Sequence, residues 1–299
     1  MQHSNAYLLE GQRVPAPPLA PGLYVTATPI GNLADITIRA LQTLAAADLI
    51  LCEDTRVSRK LVQKYGIDAP LKPYHDHNAE RVRPEIVSRL EDGAAVVLIS
   101  DAGTPLVSDP GFKLVREVAA AGLPVIAIPG PSAALTGLAV AGLPSDRFLF
   151  AGFPPAKQGQ RSRFFREFAT CQATLIFFVS AQKLGVILAE LAEVLGGRDA
   201  VVARELTKLH EEVLRGDLAS LARQIADRSS LKGEVTLLVA GPGRGAVVDQ
   251  GALDELLSAA LEQESVRDAA RSVAEQLGLR RQQVYLRALE LSKAGQRDG

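Results

Sequence analysis

Twelve consecutive residues, Ser100-Asp101-Ala102-Gly103-Thr104-Pro105-Leu106-Val107-Ser108-Asp109-Pro110-Gly111, carry much of the chemistry this chain offers. Carboxylates in a cleft can take up a proton or face a cation, and hydroxyls can orient a ligand. Glycine lets backbone approach a ligand closely, and proline keeps the loop stiff. Three shorter blocks have similar character: Pro29-Ile30-Gly31-Asn32, Glu53-Asp54-Thr55-Arg56 and Pro129-Gly130-Pro131-Ser132. A fourth, Arg204-Glu205-Leu206-Thr207-Lys208-Leu209-His210-Glu211-Glu212, is densely charged. Asp101, Glu205, Lys208 and His210 are the candidate proton acceptors. Each also has a plain structural role open to it: Asp101 as a loop acceptor, Glu205 and Lys208 as an ion pair, His210 as a surface residue. His75-Asp76-His77 has no third ligand cluster elsewhere, which is a weak metal signal, and no metal is expected.

Something must hold these blocks. Ala94 to Ile99 is a continuous apolar run, the pattern of a strand buried on both faces, and Phe112 to Ala121 is amphipathic. The 100–111 stretch is therefore a long βα loop at a strand's carboxyl end, where open α/β sheets bind ligands. Ordinary connections of this kind run to about 2–6 residues. Leu23 to Thr28, Asp48 to Glu53, Leu71 to Tyr74 and Pro124 to Ile128 read as further strands. Helices follow at Ile36 to Ala47 (capped by Asp35), Arg56 to Tyr65, Glu80 to Leu90 and Ala133 to Val140. The ends near Pro29, Asp101 and Ser132 repeat one pattern, which points to convergence on a common site. Neither GxGxxG nor a P-loop lysine is present.

The chain has 299 residues, 47% hydrophobic and 22% charged, with a formal net charge of −1. Such a balance suits a globular protein of two domains and an appendage. It does not suit one that holds duplex by bulk charge alone. No apolar run is long enough to span a bilayer, and Cys52 and Cys171 read as buried thiols. The proline-bearing residues 1–20 read as a disordered leader, 21–143 as a first α/β domain and 144–245 as a second.

In the second domain, Phe148 to Phe153, Thr174 to Val179, Ala200 to Leu206, Glu212 to Gly216 and Val235 to Ala240 are β-prone. Lys157, Arg161, Arg163 and Arg166 surround Phe164 and Phe165. That mixture suits RNA backbone and unstacked bases, and equally an amphipathic helix with its phenylalanines in the core. Residues 250–299 read as a helical tail. Its helix–glycine–helix pattern over Val266 to Leu289, with Arg280, Arg281 and Arg287, fits a helix-turn-helix or an ordinary helical hairpin.

On these separated blocks, from Gly22 to Gly241, the chain resembles the tetrapyrrole methylase superfamily, and more narrowly its branch acting on ribosomal RNA. The resemblance implies two α/β domains with a cofactor cleft between them, a helical appendage, a homodimer and a cytoplasmic enzyme. It implies S-adenosylmethionine as methyl donor and a cytidine ribose 2′-oxygen of small-subunit ribosomal RNA as acceptor. Cofactor contacts carry over to Pro29, Ser100, Asp101, Ala102, Gly103, Thr104, Ser132, Ala133, Phe178, Ala203, Ala240 and Gly241. Asp101, Glu205 and Lys208 take the catalytic positions. Lys157, Arg161, Arg163, Arg166, Lys183, Arg280 and Arg281 are the expected RNA contacts. One block departs: Phe178-Val179-Ser180-Ala181-Gln182-Lys183-Leu184 stands where the family has an aromatic-Glu-Ala-Pro-His-Arg-Leu run. Lysine cannot reproduce arginine's bidentate fork on phosphate. The rival activities are methylation of a tetrapyrrole or other small substrate, and a ligand-sensing DNA-binding regulator.

Overall fold

A computed structural model describes residues 5–228, 231–242, 250–277 and 281–295. The chain opens with a hairpin, β1 (Ala6–Leu9) and β2 (Gln12–Pro15), closed by Glu10 and Gly11 at φ 50° and 80°. Two successive positive-φ residues are what a two-residue hairpin turn demands. Tyr7 is 2% exposed, and Leu8 N donates to Tyr65 O at 2.7 Å. Residues 5–20 are thus ordered, against the disorder expected of the leader. Burial of Tyr7 against the first domain supplies what composition did not show.

The first domain is a parallel five-stranded sheet. In chain order it runs β3 (Gly22–Thr26), α1 (Ile38–Ala45), β4 (Leu49–Cys52), α2 (Thr55–Lys64), β5 (Leu71–Pro73), α3 (Ala79–Glu91), β6 (Ala95–Leu98), α4 (Phe112–Ala120) and β7 (Val125–Ile128). Its strand order is β5-β4-β6-β3-β7. Ile50, Cys52 and Val97 join one core with α1, α2 and the hairpin, while Leu49, Leu51, Val96 and Leu98 join another with α3 and α4. Burial on both faces is why these strands read as unbroken apolar runs. Asp35 does not cap α1; it lies in a preceding 3₁₀ turn, and the Thr37 side chain accepts from Ala40 N at 3.1 Å.

The helix α5 (Ala133–Ala141) follows, then β8 (Phe148–Gly152), α6 (Gln158–Arg166), β9 (Thr174–Ser180), α7 (Leu184–Leu195), β10 (Asp199–Arg204), β11 (Glu212–Asp217), α8 (Leu218–Ala226) and β12 (Glu234–Val239). The second sheet has the order β11-β10-β12-β9-β8, parallel only between β8 and β9. One face carries α6, α7 and α8. On the other, Ala134, Leu138 and Ala141 of α5 pack with Ile176, Val201, Ala203 and Leu238. So α5 lies in the first domain by sequence and packs on the second, tying the two together. Gly137 allows this approach, since a Cβ there would stand 2.9 Å from the Thr236 methyl. The tail helices α9 (Gln250–Leu261), α10 (Val266–Leu277) and α11 (Arg281–Gly295) share a core of Leu257, Ala270, Val273, Val284 and Ala288. Arg287 binds Asp254 at 2.6 and 2.8 Å, so it fastens α11 to α9.

Candidate active site

Between the two sheets lies a cavity of about 350 Å³. Strand direction decides what reaches it. β8, β9 and β10 bring their carboxyl ends, at Phe153, Phe178 and Ala203. β12 is antiparallel to both β9 and β10, so it brings its amino end, with Gly233, Glu234 and Thr236 in the wall. Ala240 and Gly241 are consequently at the far end of β12, and the cofactor contact expected of them is corrected. Gly241 packs instead on the backbone of Gln172.

From the first domain come Asp101, Ala102, Gly103, Thr104, Ser132 and Ala133, as expected. Gly103 has φ +83° and makes a two-way backbone bridge with Thr28 at 2.8 and 3.0 Å. The Thr104 hydroxyl donates to Pro131 O at 3.1 Å, which joins two of the loops. Ser132 is the N-cap residue of α5, but its hydroxyl makes no capping bond. Ser100 and Pro29 do not line this cavity. Ser100 is 3% exposed, and its hydroxyl is turned back on Gly103 O at 3.2 Å and Ala102 O at 3.3 Å, bracing the loop from beneath. Both residues instead line a second cavity, which shares Asp101 with the first.

Asp101 Oδ1 accepts from Asp54 N at 3.1 Å, and burial raises its pKa. Val107, Ser108 and Asp109 also line the cavity; they belong to the loop read as the ligand stretch but are not among the contacts the resemblance implies. The available signal was the length of the loop. Leu106 and Ser108 adopt φ of +73° and +66°, and Gly111 +132°, folding the loop back onto the strand. Burial, and then the charge of Glu53, push Asp109 up to about 6. The sign of its effect on stability follows. Asp109 is neutral in folded and unfolded chains well below its ordinary 3.8, and its ionisation penalises the fold as pH rises through about 6. Asp109→Asn is therefore expected to gain about 1 kcal/mol at pH 8, after allowance for solvent screening, and nothing at pH 3. Urea unfolding of both proteins at the two pH values checks this.

Glu205 and Lys208 reach the cavity but are committed to each other. Lys208 Nζ lies 2.9 Å from both Glu205 Oε1 and Glu234 Oε2, and Glu205 also accepts from Glu234 N at 3.0 Å. The backbone bond, followed by Lys208, lowers the Glu205 pKa. Burial works against the Lys208 charge, yet its two carboxylate partners leave its pKa raised. Neither is free to act as a proton acceptor. They serve as a clamp across the cleft: Lys208 packs over Gly31, and Thr207 Oγ1 accepts from Asn32 N at 3.1 Å. His210 is exposed.

The basic stretch is divided. Lys157, Arg163, Arg166 and Lys183 are exposed, whereas Arg161 is 6% exposed. Its guanidinium holds Glu190 at 2.5 and 2.7 Å and donates to Pro155 O and Ala156 O. Arg161 is thus a buried structural residue, and its expected RNA contact is corrected. Phe165 is fully buried, and Phe164 packs edge-on to Phe168 and Phe177, so neither offers a face to a base. Arg280 and the side chain of Arg281 lie outside the described residues. Among the described residues, no group of three His, Cys, Asp or Glu side chains is placed to hold a metal.

The cavity wall carries Asp101, Asp109, Glu205 and Glu234 against the cation of Lys208. Its apolar remainder includes Ile30, Val107, Phe178, Ala203 and Leu206. An amphipathic ligand with a positive centre suits this lining.

Comparison with known proteins agrees with the geometry. The profile of the tetrapyrrole (corrin/porphyrin) methylases matches residues 22–222, and that of the RsmI C-terminal HTH domain matches 247–292. A protein of Mesorhizobium japonicum named ribosomal RNA small subunit methyltransferase I is 49% identical over 96% of this chain and 98% of its own. One of the same name from Escherichia coli O157:H7 is 41% identical over 97% and 98%. Among solved structures, the Thermus thermophilus uroporphyrin-III C-methyl transferase complexed with S-adenosyl homocysteine aligns with TM-score 0.51. It covers 73% of this chain and 96% of its own, at 20% identity, a likeness of fold alone.

Proposed function

Because the chain belongs to the tetrapyrrole methylase family, we propose that it methylates the ribose 2′-oxygen of a cytidine in small-subunit ribosomal RNA, with S-adenosylmethionine as donor. It is a methyltransferase whose relatives at 41–49% identity, over nearly the whole chain, are named for the small-subunit ribosomal RNA. The match of the tail to the C-terminal domain profile favours this substrate over a small tetrapyrrole. The observation that carries the donor is the anionic, partly apolar cavity. A sulfonium centre is attracted there, and the neutral thioether left after transfer is held less tightly.

The donor supplies an electrophilic methyl group with a good leaving group. The protein's own residues then have three tasks. The loop 101–104 and Ser132-Ala133 hold the donor, and Phe178, Ala203 and Leu206 exclude water around it. The Glu205–Lys208–Glu234 cluster fixes the second domain against the loop after β3. With the donor bound there, its methyl would pass to the ribose oxygen and leave a neutral thioether, and Asp101 is the residue placed to take up the hydroxyl proton. Alignment of this kind can supply about 7–11 kcal/mol of the barrier.

A homodimer acting in the cytoplasm completes the reading. Edge strands β7 and β8 and helix α5 expose Val125, Phe148, Leu135 and Val140, apolar area of the kind a second copy would cover. Among the described residues, no helix is long and apolar enough to cross a membrane. The test is transfer of labelled methyl from S-adenosylmethionine to small ribosomal subunits from cells lacking this gene, followed by nuclease mapping. Label on one ribose 2′-oxygen is the expected result. No label, with the donor still bound, would overturn the substrate.

A further inference from the structure

Helix α2 carries Arg56, Arg59, Lys60 and Lys64 and no acidic residue. Arg56 is tied to Asp54, its Nη2 2.6 Å from the carboxylate. Arg59, Lys60 and Lys64 are exposed, and no carboxylate pairs with them among the described residues. The other side of the same domain is different. There Lys72 and Arg89 pair with Glu85, Arg83 with Glu117, and Lys113 with Glu80. A chain of net charge −1 thus keeps uncompensated positive charge on this helix, as it also does at Arg163 and Arg166 of α6.

That helix borders the second cavity, of about 270 Å³, whose wall includes Pro29, Leu33, Val57, Ser58, Lys60 and Asp101. Leu33 and Val57 are 37% and 40% exposed, an apolar rim for a base or ribose. The Ser58 hydroxyl is buried and, apart from the weakly bonding Cys52 thiol beside it, meets no hydrogen-bond partner. That leaves a polar group short of partners in the wall. Asp101 borders both cavities. Displacement at a methyl carbon needs the attacking and leaving atoms on opposite sides of it. Two cavities that share Asp101 set two occupants against one carboxylate, which is where a donor and an acceptor would have to meet.

Resting on the ribosomal RNA reading, we propose that α2 is the RNA-docking helix and the second cavity the acceptor-nucleotide site. Arg59, Lys60 and Lys64 hold the phosphate backbone, and the ribose reaches Asp101 from the second cavity. RNA phosphate complements this surface, and a single-stranded nucleotide can be splayed into a pocket of this kind.

Two variants test it, with small ribosomal subunits and labelled S-adenosylmethionine as probes. The first combines Arg59→Gln, Lys60→Gln and Lys64→Gln. It is expected to raise KM for subunits at least about tenfold and to reduce the salt slope of binding by about 2, at about 0.7 for each phosphate no longer neutralised. Its kcat and donor affinity stay as they were. The second, Val57→Trp, fills the cavity from an exposed position. Transfer is expected to be lost while donor binding and melting temperature are kept. If the triple variant keeps its KM and salt slope, or Val57→Trp transfers normally, the docking proposal is overturned and the ribosomal RNA reading stands. If the unaltered protein leaves subunits unlabelled, that reading falls and takes the proposal with it.

Discussion

Replacing Asp101 with alanine is expected to lower methyl transfer by about 10²–10⁴-fold, the range in which a positioned proton acceptor acts. Three features single it out. It lies where the two cavities meet, its carboxylate accepts from Asp54 N at 3.1 Å, and burial raises its pKa. A raised pKa suits transient proton uptake at neutral pH better than the lowered value of Glu205. The fold should survive, because a half-buried carboxylate held against its solvation preference contributes little to stability. Asp101→Asn separates shape from proton transfer: it keeps the side chain's size and an oxygen to accept the Asp54 bond, but cannot take up the proton. Single-turnover kinetics on labelled small subunits, with donor affinity measured by calorimetry, gives both quantities. Asparagine and alanine variants that transfer at the original rate would remove Asp101 from the reaction.

The second large effect is on stability. Arg161→Ala is expected to destabilise the protein by about 3–5 kcal/mol, because Glu190 would be left buried without a counter-charge. The pair is well enclosed, with side-chain exposures of 7% and 8%. The arginine also satisfies Pro155 O and Ala156 O, so its loss frees the turn entering α6 as well as the carboxylate on α7. Replacing both partners with methionine should restore most of the loss, since an apolar pair needs no compensation. Equilibrium denaturation of Arg161→Ala and of the double variant decides this. A small loss in the single variant would mean that water reaches the carboxylate. RNA affinity should follow stability only. A selective loss of RNA binding in the folded variant would return Arg161 to the surface role its sequence context suggested.

Much of this protein is determined by sequence taken alone. Alternating burial on two faces gives β4 and β6 their apolar runs, and the long loop after β6 announces a site because structural turns there need few residues. The separated blocks also suffice to place the chain in its family. What the sequence left open depends on contacts between distant segments. Strand propensity is the same in either direction, so nothing local to β12 says that Gly233 and Glu234, rather than Ala240 and Gly241, face the cavity; its antiparallel pairing with β9 and β10 does. Charge is likewise blind to burial. Arg161 and Arg163 look alike in the chain, yet a two-residue step along α6, little more than half a turn, sends the first inward to Glu190 and leaves the second in water. The ordered hairpin at residues 6–15 depends on a pocket for Tyr7 built by α1 and α2, which its own residues cannot specify. Tertiary packing decided these points, because each turns on which distant surface a residue meets.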